Sequence, residues 1–436
     1  MSQTVEHELF QDEYESSPVP QSKRRSLLSV ASVWAGFPMI ITGAVTGATL
    51  VHGLGFAGGL TAMIIGNLLL LAYVGLLSAL GAKTGFNFSL QASRTFGRTG
   101  YIACSALLST LVLGWFAVQT GLVGASMEGA FGWNATIVAL VAGVLFTLFT
   151  LLGIRALSII GAISVPLFLF LGLYAAVQAG TTGADVWGYE GDSSLSIALG
   201  VGVTLVFALF ADSGTMTADF TRWAKNTRHA WIATASAFPI GNLFAMVIGG
   251  VIAAATAGSG DVFGILALQG GIFPVLAVIF LVVNLGSVCT HCLYNAAVGW
   301  STILRGRMRI LTLVLGAVGV IVATLGIWGF FINWLNLLGV IVPPIGAIII
   351  ADQLLVRRAA AVSQTAIAAV RWQPFAAWAI GSGAALLVNL QAPWLSTVVT
   401  GLVVSSAAYL VLSVVTAKAE VVHPVSVAAS TETDAV

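Results

Sequence analysis

Charged side chains are scarce in this sequence. Only 8 % of its 436 residues are charged, whereas 58 % are hydrophobic, and the mean hydropathy is +1.01. A soluble globular domain carries about 25 % charged residues because its surface must face water. The composition therefore excludes a soluble protein and predicts an all-α membrane protein with most of its surface in lipid.

Several signatures of other protein classes are also missing. Three cysteines in apolar surroundings form no disulfide framework, and the acidic N-terminus has no apolar stretch typical of a signal peptide. There is no HExxH metal motif, no GxxxxGK[ST] phosphate loop and no soluble domain to hold a catalytic site. We therefore predict a protein that is not an enzyme, with no bound cofactor, no transition-metal site, no nucleic-acid partner and no obligatory protein partner.

Apolar runs dominate what is present. A helix needs about 20 apolar residues to cross the hydrocarbon core, and this rule predicts about twelve spans. The expected domains are an N-terminal tail (1–25), one transporter domain (26–416) and a C-terminal tail (417–436). The predicted spans are 26–50, 58–82, 101–127, 135–153, 157–180, 195–222, 231–257, 273–300, 310–328, 331–351, 375–391 and 393–416.

The charges test this topology. If the N-terminus is cytoplasmic, all 17 Lys and Arg residues fall in cytoplasmic tails and joints, and the opposite joints hold only acids. The positive-inside rule predicts such a bias. We therefore expect a multi-pass protein of the inner (cell) membrane, embedded in the lipid bilayer, with both termini in the cytoplasm.

Two predicted spans are interrupted at depth. The first contains Gly36 and Pro38, and the sixth contains Phe210-Ala-Asp212-Ser213-Gly214. Paired broken helices are typical of transporters built from two inverted five-helix repeats, with the site near the midplane. The alternative is that glycine and proline are simply common in membrane helices. The pattern predicts a LeuT-like 5+5 core, with repeats over 26–180 and 195–351 and two peripheral helices over 375–416.

Two ionisable side chains lie within predicted spans. Asp212 lies at the sixth-span break, and a carboxylate at that depth is costly unless it is paired or functional. His291 lies in the eighth span and could serve a proton relay or a ring substrate. We predict a coupling role for both, although a helix-break Asp and a packed histidine are structural alternatives. Cys289 and Cys292 flank His291 with CxxC spacing, which is weak evidence for metal or redox chemistry.

The third span carries an aromatic and an amide side chain one turn apart. Trp115 and Gln119 share a helix face. An aromatic plate beside an amide suits a planar polar ring, since stacking holds the ring and the amide binds its edge. Interhelical packing of Trp115 is the alternative.

Several short motifs together resemble the nucleobase–cation symporter family of the purine–cytosine permease type, and among its members the bacterial cytosine permeases most. The resemblance runs from Pro18 to about Ala417. Its motifs are Pro18–Ser22, Gly66-Asn67, Gly114-Trp115, Gly214 to Phe220 with its Thr-Met-Thr-Ala-Asp core, and Pro343-Pro344-Ile-Gly346.

The resemblance implies alternating access and assigns site residues. It places Trp115, Gln119 and Phe210 at the substrate. It also implies a cation site between first-span carbonyls and the eighth span. The cation-site residues it implies here are Gly36, Met39, Asn284 and Ser287.

The sequence departs from those permeases within the site itself. Val112 stands where they have a glutamine, Asp212 where they have a serine, and Cys289 where they have a substrate-binding asparagine. Val288 removes a hydroxyl that would ligate sodium. These differences put cytosine and sodium in doubt. They leave Asp212, Ser213, Cys289 and His291 as further candidates for substrate binding.

We therefore predict a secondary transporter that imports a nucleobase-type small molecule, resembling cytosine or a purine, by proton or sodium symport. The alternatives are a permease of the same fold for hydantoin, allantoin, a thiamine precursor, an amino acid or an amine. An integral-membrane enzyme is the alternative from a different class.

Overall fold

The computed structural model describes residues 13–181, 183–258, 260–357 and 368–422. Residues 1–12 and 423–436 of the two predicted tails lie outside this part of the chain. So do residues 358–367 in the joint before the predicted peripheral helices.

The first half of the described chain is helical, and α2 covers most of the first two predicted spans with a kink at Gly55. Its α-helices are α1 (Leu27–Ala35), α2 (Ile41–Thr84), α3 (Phe88–Phe96), α4 (Tyr101–Phe131), α5 (Ala135–Thr150) and α6 (Ile154–Gly180).

The second half is also helical, with π-helical turns over Ser236–Asn242 and Ala351–Val356. Its α-helices are α7 (Leu199–Ala208), α8 (Ala211–Thr215), α9 (Ala218–Thr221), α10 (Thr227–Ala235), α11 (Leu243–Thr256), α12 (Val262–Ala267), α13 (Phe273–Leu304), α14 (Met308–Thr324), α15 (Phe331–Ile341), α16 (Pro343–Ile350), α17 (Trp372–Gln391) and α18 (Thr397–Val422).

Helices occupy every predicted span, and the all-α membrane fold is confirmed. Within the described residues, 7 helices are long and apolar enough to cross a membrane, and three shorter apolar helices accompany them. The number is below twelve partly because α2 joins the first two predicted spans, and partly because the apolar helices in the fourth, sixth and ninth predicted spans are short. The count of twelve crossings and the domain boundaries stay predictions.

Both predicted helix breaks are confirmed. Helix α1 ends at Ala35 and α2 begins at Ile41. Position 36 requires glycine, because the Cβ of any other residue would lie 2.2 Å from Gly161 Cα of α6 and would clash with it. In the sixth span, Phe210 interrupts the helix with φ −130° and ψ 21°. Each break leaves backbone carbonyls without their usual partners within the helix.

Residues 13 and 14 form hydrogen bonds to several helices at one end of the bundle. The Glu13 carboxylate accepts hydrogen bonds from Ile154 N of α6 (3.1 Å) and from the Tyr294 hydroxyl of α13 (2.9 Å). The Arg222 guanidinium donates to the carbonyls of Glu13 and Tyr14 at 2.8 Å each. This segment therefore links α6, α9 and α13 where the sixth span ends.

Candidate functional site

The two helix breaks lie against each other through aromatic rings. Phe37 of the first break packs edge-on against Phe210 of the second, with ring centroids 5.4 Å apart. On its other side Phe37 stacks on His291 of α13 at 4.9 Å. The unwound segments of both repeats therefore meet beside α13, as the inverted-repeat arrangement predicts.

Trp115 of α4 is a buried aromatic side chain next to the contact between the two helix breaks. Its side chain is 3 % exposed and packs edge-on against Phe331 of α15 at 5.8 Å. The indole lies next to the Asp212 carboxyl. Nevertheless, the indole Nε1 has no hydrogen-bond partner among the described residues. Trp115 therefore presents an unused donor next to the break.

Gln119 lies one turn further along α4. Its Nε2 donates to the Thr42 hydroxyl at 2.9 Å, whereas its buried Oε1 is unpaired within the described part of the chain. The hydrogen bond to Thr42 fixes the amide and leaves the carbonyl oxygen as an open acceptor.

Asp212 belongs to α8, directly after the second break, and is fully buried. Its Oδ1 accepts from the backbone N of Ser213 at 2.7 Å and is 3.3 Å from the Ser213 hydroxyl. Its Oδ2 has no partner in the described structure. Ser213 therefore orients the carboxyl, while Oδ2 remains available to a substrate or a proton.

These side chains contribute three open polar atoms, namely Trp115 Nε1, Gln119 Oε1 and Asp212 Oδ2. An unpaired buried polar group costs about 1–3 kcal/mol. A planar molecule with N–H donors would satisfy the two oxygens, and the Trp115 N–H lies beside the Asp212 carboxyl. The arrangement favours a neutral polar heterocycle over an apolar ligand.

Replacing Gln119 by leucine should change substrate selectivity. The variant leaves an N–H of the ring without its acceptor, which costs about 1–3 kcal/mol, whereas a ring lacking that N–H loses little. The relative potency of competing heterocycles should therefore change in an uptake-competition assay. Thr110→Val is the matched control, because it removes an exposed hydroxyl of the same helix that donates to the Ala106 carbonyl. Equal losses for every competitor, or the same profile in both variants, would contradict a direct contact.

Cys289 faces α4 and not the helix breaks. Its sulfur lies 3.8 Å from the Phe116 carbonyl and 3.5 Å from the Thr120 hydroxyl. Further along α13, Gly299 lies against Ser109 of α4. The two contacts show that α4 and α13 run antiparallel. The substrate-binding role of Cys289 stays a prediction.

His291 joins α13 to the end of α1. Its Nδ1 lies 2.7 Å from the Ser287 carbonyl and its Nε2 lies 2.8 Å from the Val33 carbonyl. Both partners can only accept, and a neutral imidazole has a single N–H donor. A neutral ring can therefore donate to one of the two carbonyls, and its tautomer decides which one. His291 thus faces the first break, and no hydrogen bond between His291 and Asp212 is among those of the described residues.

Asn284 and Ser287 lie on the same face of α13 as His291 and contact the first break. The Asn284 Oδ1 accepts from Ile41 N at 2.9 Å, which fixes the amide so that its Nδ2 donates to the Met39 carbonyl at 2.8 Å. The Ser287 hydroxyl lies 2.7 Å from the Gly36 carbonyl and can donate to it. The structure therefore brings together all four predicted cation-site residues. The Asn284 amide donates to the Met39 carbonyl, and the Ser287 hydroxyl can donate to the Gly36 carbonyl.

Sequence reasoning missed two contributors to this region. Thr42 holds Gln119, and Ser164 of α6 lies 3.1 Å from the Asn284 amide. Thr42 could have been found, because a hydroxyl directly after the first break is a polar group in an apolar span. Ser164 carried no comparable signal, since its role depends on how α6 packs.

Comparison with known proteins agrees with this geometry. The family described as "Permease for cytosine/purines, uracil, thiamine, allantoin" matches residues 18–412. The chain belongs to this permease family. The permease is also 32% identical over 374 residues to the cytosine permease of Escherichia coli K12, covering 85% of this chain and 88% of the relative. It is therefore a secondary transporter of a small molecule, with alternating access, and not an enzyme.

Solved structures share the fold of the permease. The nucleobase-cation-symport-1 family transporter Mhp1, in a closed conformation with bromovinylhydantoin bound, superposes with a TM-score of 0.76 at 19% identity, covering 94% of this chain and 96% of that one. A Na⁺-coupled sialic acid symporter superposes with a TM-score of 0.67 at 13% identity, covering 94% and 93%. These likenesses confirm the transporter fold predicted from the broken helices.

Proposed function

We propose that this permease imports a neutral nucleobase-type heterocycle, cytosine-like or purine-like, across the cytoplasmic membrane. The observation that carries the proposal is the buried Trp115 beside two acceptors, Gln119 Oε1 and Asp212 Oδ2, that have no partner among the described residues. The ring would stack on Trp115, and its N–H groups would bind Gln119 Oε1 and Asp212 Oδ2. Both termini would lie in the cytoplasm, in keeping with the distribution of Lys and Arg.

The composition of the site supports a nucleobase over an amino acid. A zwitterion needs a partner for its carboxylate, and Phe331 and Asp212, the described neighbours of Trp115, carry no positive charge. The similarity to a cytosine permease also favours a nucleobase. Hydantoin- or allantoin-type rings present similar amide edges, so they remain the second candidates.

We further propose that the transported ion is a proton and not sodium. Sodium needs several oxygen ligands with free lone pairs, as do other hard cations. In this permease the Gly36 and Met39 carbonyls face donors from Ser287 and Asn284. The apolar Val288 follows Ser287 and adds no oxygen. The buried Asp212 carboxyl, whose Oδ2 has no partner among the described residues, supports a proton as the coupled ion because this oxygen can take up a proton.

Uptake by the purified permease in proteoliposomes tests the proposal. Labelled cytosine, uracil, hypoxanthine, allantoin and an amino-acid mixture are offered under an inward proton gradient or an inward sodium gradient at constant pH. We expect accumulation of at least one nucleobase under the proton gradient. Accumulation of amino acids alone would overturn the substrate class. Nucleobase accumulation driven by sodium alone would overturn proton coupling.

A further inference from the structure

A buried carboxylate holds the N-terminal segment against the helix bundle. Glu13 is only 4 % exposed, and its two carboxylate oxygens bind different helices. Oε1 accepts from Ile154 N of α6 at 3.1 Å, and Oε2 accepts from the Tyr294 hydroxyl of α13 at 2.9 Å. The buried Arg222 guanidinium, directly after α9, donates to the Glu13 carbonyl at 2.8 Å. One residue therefore joins three separate elements.

The start of α6 is shaped to receive this carboxylate. Gly153, directly before the helix, has a φ of +62°, a conformation that favours glycine. A Cβ at this position would overlap Glu13 Oε1, so any other residue would displace the carboxylate. The N-terminus of a helix also attracts negative charge. Glu13 therefore occupies a specific niche at the start of α6.

The next residues of the chain cross the same end of the bundle. The Asn87 amide, at the start of α3, donates to the Glu15 carbonyl at 2.7 Å. Val19 N donates to the Gly85 carbonyl, at the end of α2, at 2.9 Å. The Val19 side chain is buried. We call residues 13–19 the N-terminal strap, which thus contacts α2, α3, α6 and α13.

Packed aromatic rings connect the strap to the two helix breaks. Tyr294, which donates to Glu13, stacks on Phe220 with ring centroids 6.1 Å apart. Phe220 packs against Phe37 of the first break at 6.2 Å, and Phe37 in turn contacts Phe210 of the second break. In alternating access, one side of the transport site opens while the other is closed. Opening toward this end requires these rings to separate, and Glu13 holds the last of them.

We propose that the N-terminal strap is a cytoplasmic gate, closed when Glu13 is bound between α6 and α13 and open only after the strap leaves this niche. The inference goes beyond the proposed substrate and ion. It depends on the proposed function only for the orientation, which puts this end of the bundle in the cytoplasm. Glu13 acts on transport by positioning helices and does not touch the substrate.

Thiol labelling of the purified permease measures strap binding without any substrate. A maleimide is applied to Val19→Cys, whose position is buried under the bound strap. The native cysteines are buried as well, so the parent gives the background. We expect labelling about tenfold faster when Glu13→Ala is added, because local opening exposes position 19.

Glu15→Gln, added to Val19→Cys, is the matched control. The Glu15 carboxylate binds Met308 N at the start of α14 (3.3 Å) and takes no part in the contact between α6 and α13. It should change the labelling rate less than about threefold. Equal rates with Glu13→Ala and Glu15→Gln, in variants that unfold at the same temperature as the parent, would overturn the role of Glu13.

Cross-linking tests whether the strap must move during transport. Because Glu15 reaches Met308 N, a short reducible reagent can join Glu15→Cys to Arg307→Cys, the exposed neighbouring position. We expect the joined permease to take up labelled substrate about tenfold more slowly, and reduction to restore uptake. Each single-cysteine variant, treated with the same reagent, is the control.

Full uptake by the joined permease would overturn the gate, because the strap would then be a permanent anchor. The substrate for this assay is whichever labelled heterocycle the parent accumulates. If the parent accumulates no nucleobase, the proposed substrate class fails, whereas the labelling rates still decide whether Glu13 holds the strap.

Discussion

Asp212→Asn should abolish proton-driven accumulation of substrate while leaving substrate exchange measurable. Asparagine keeps the shape of the side chain and can still accept from Ser213 N, but it cannot take up and release a proton. A pH difference of one unit can drive about tenfold accumulation in a one-proton symport. In proteoliposomes the parent should approach that ratio, whereas Asp212→Asn should only equilibrate.

The structural reason is the asymmetry of the Asp212 carboxyl. One oxygen is held by Ser213, and the other is open beside Trp115. A proton on Oδ2 would convert an acceptor into a donor at the point where the ring binds. The bound substrate can therefore favour one protonation state, and this preference links substrate binding to proton binding.

Two further variants make this prediction specific. Asp219→Asn removes another buried carboxyl of the sixth segment, whose Oδ1 accepts from Phe88 N at 2.7 Å, and it should keep coupled accumulation. His291→Gln tests the other candidate, because glutamine retains a donor but carries no exchangeable charge. If accumulation survives in Asp212→Asn and is lost only in His291→Gln, the coupling proton belongs to the imidazole.

Trp115→Ala should lower the apparent affinity for substrate about tenfold without reducing the amount of folded protein in the membrane. The aromatic contact contributes roughly 0.5–1.5 kcal/mol beyond the area it buries, and a factor of ten corresponds to about 1.4 kcal/mol. The affected quantity should be KM, since stacking holds the ring in the bound state. Initial uptake rates over a range of substrate concentrations measure it.

Trp115→Phe serves as the control for ring stacking. Phenylalanine keeps an aromatic face for stacking, so Trp115→Phe should lose less affinity than Trp115→Ala. Unchanged kinetics in Trp115→Ala would mean that Trp115 only packs against Phe331. The site would then lie elsewhere.

The sequence by itself predicted much of the architecture. Scarce charge and long apolar runs require membrane helices, because an unpaired backbone group in lipid is costly. The breaks near Gly36 and Phe210 were predictable because a proline and a charged residue seldom lie within an apolar span without a reason. Trp115, Gln119 and Asp212 were informative in a similar way, because side chains with polar groups are uncommon inside apolar spans.

Only the tertiary structure decided which polar atoms are already paired. The hydrogen bonds of Asn284, Ser287 and His291 to carbonyls at or near the first break became known only from the fold. Gln119 and Asn295 are both amides within spans, yet Thr42 accepts a hydrogen bond from Gln119, whereas Asn295 has no partner among the described residues. Hydrogen bonds between helices depend on how the helices rotate and cross, and local sequence does not encode those angles.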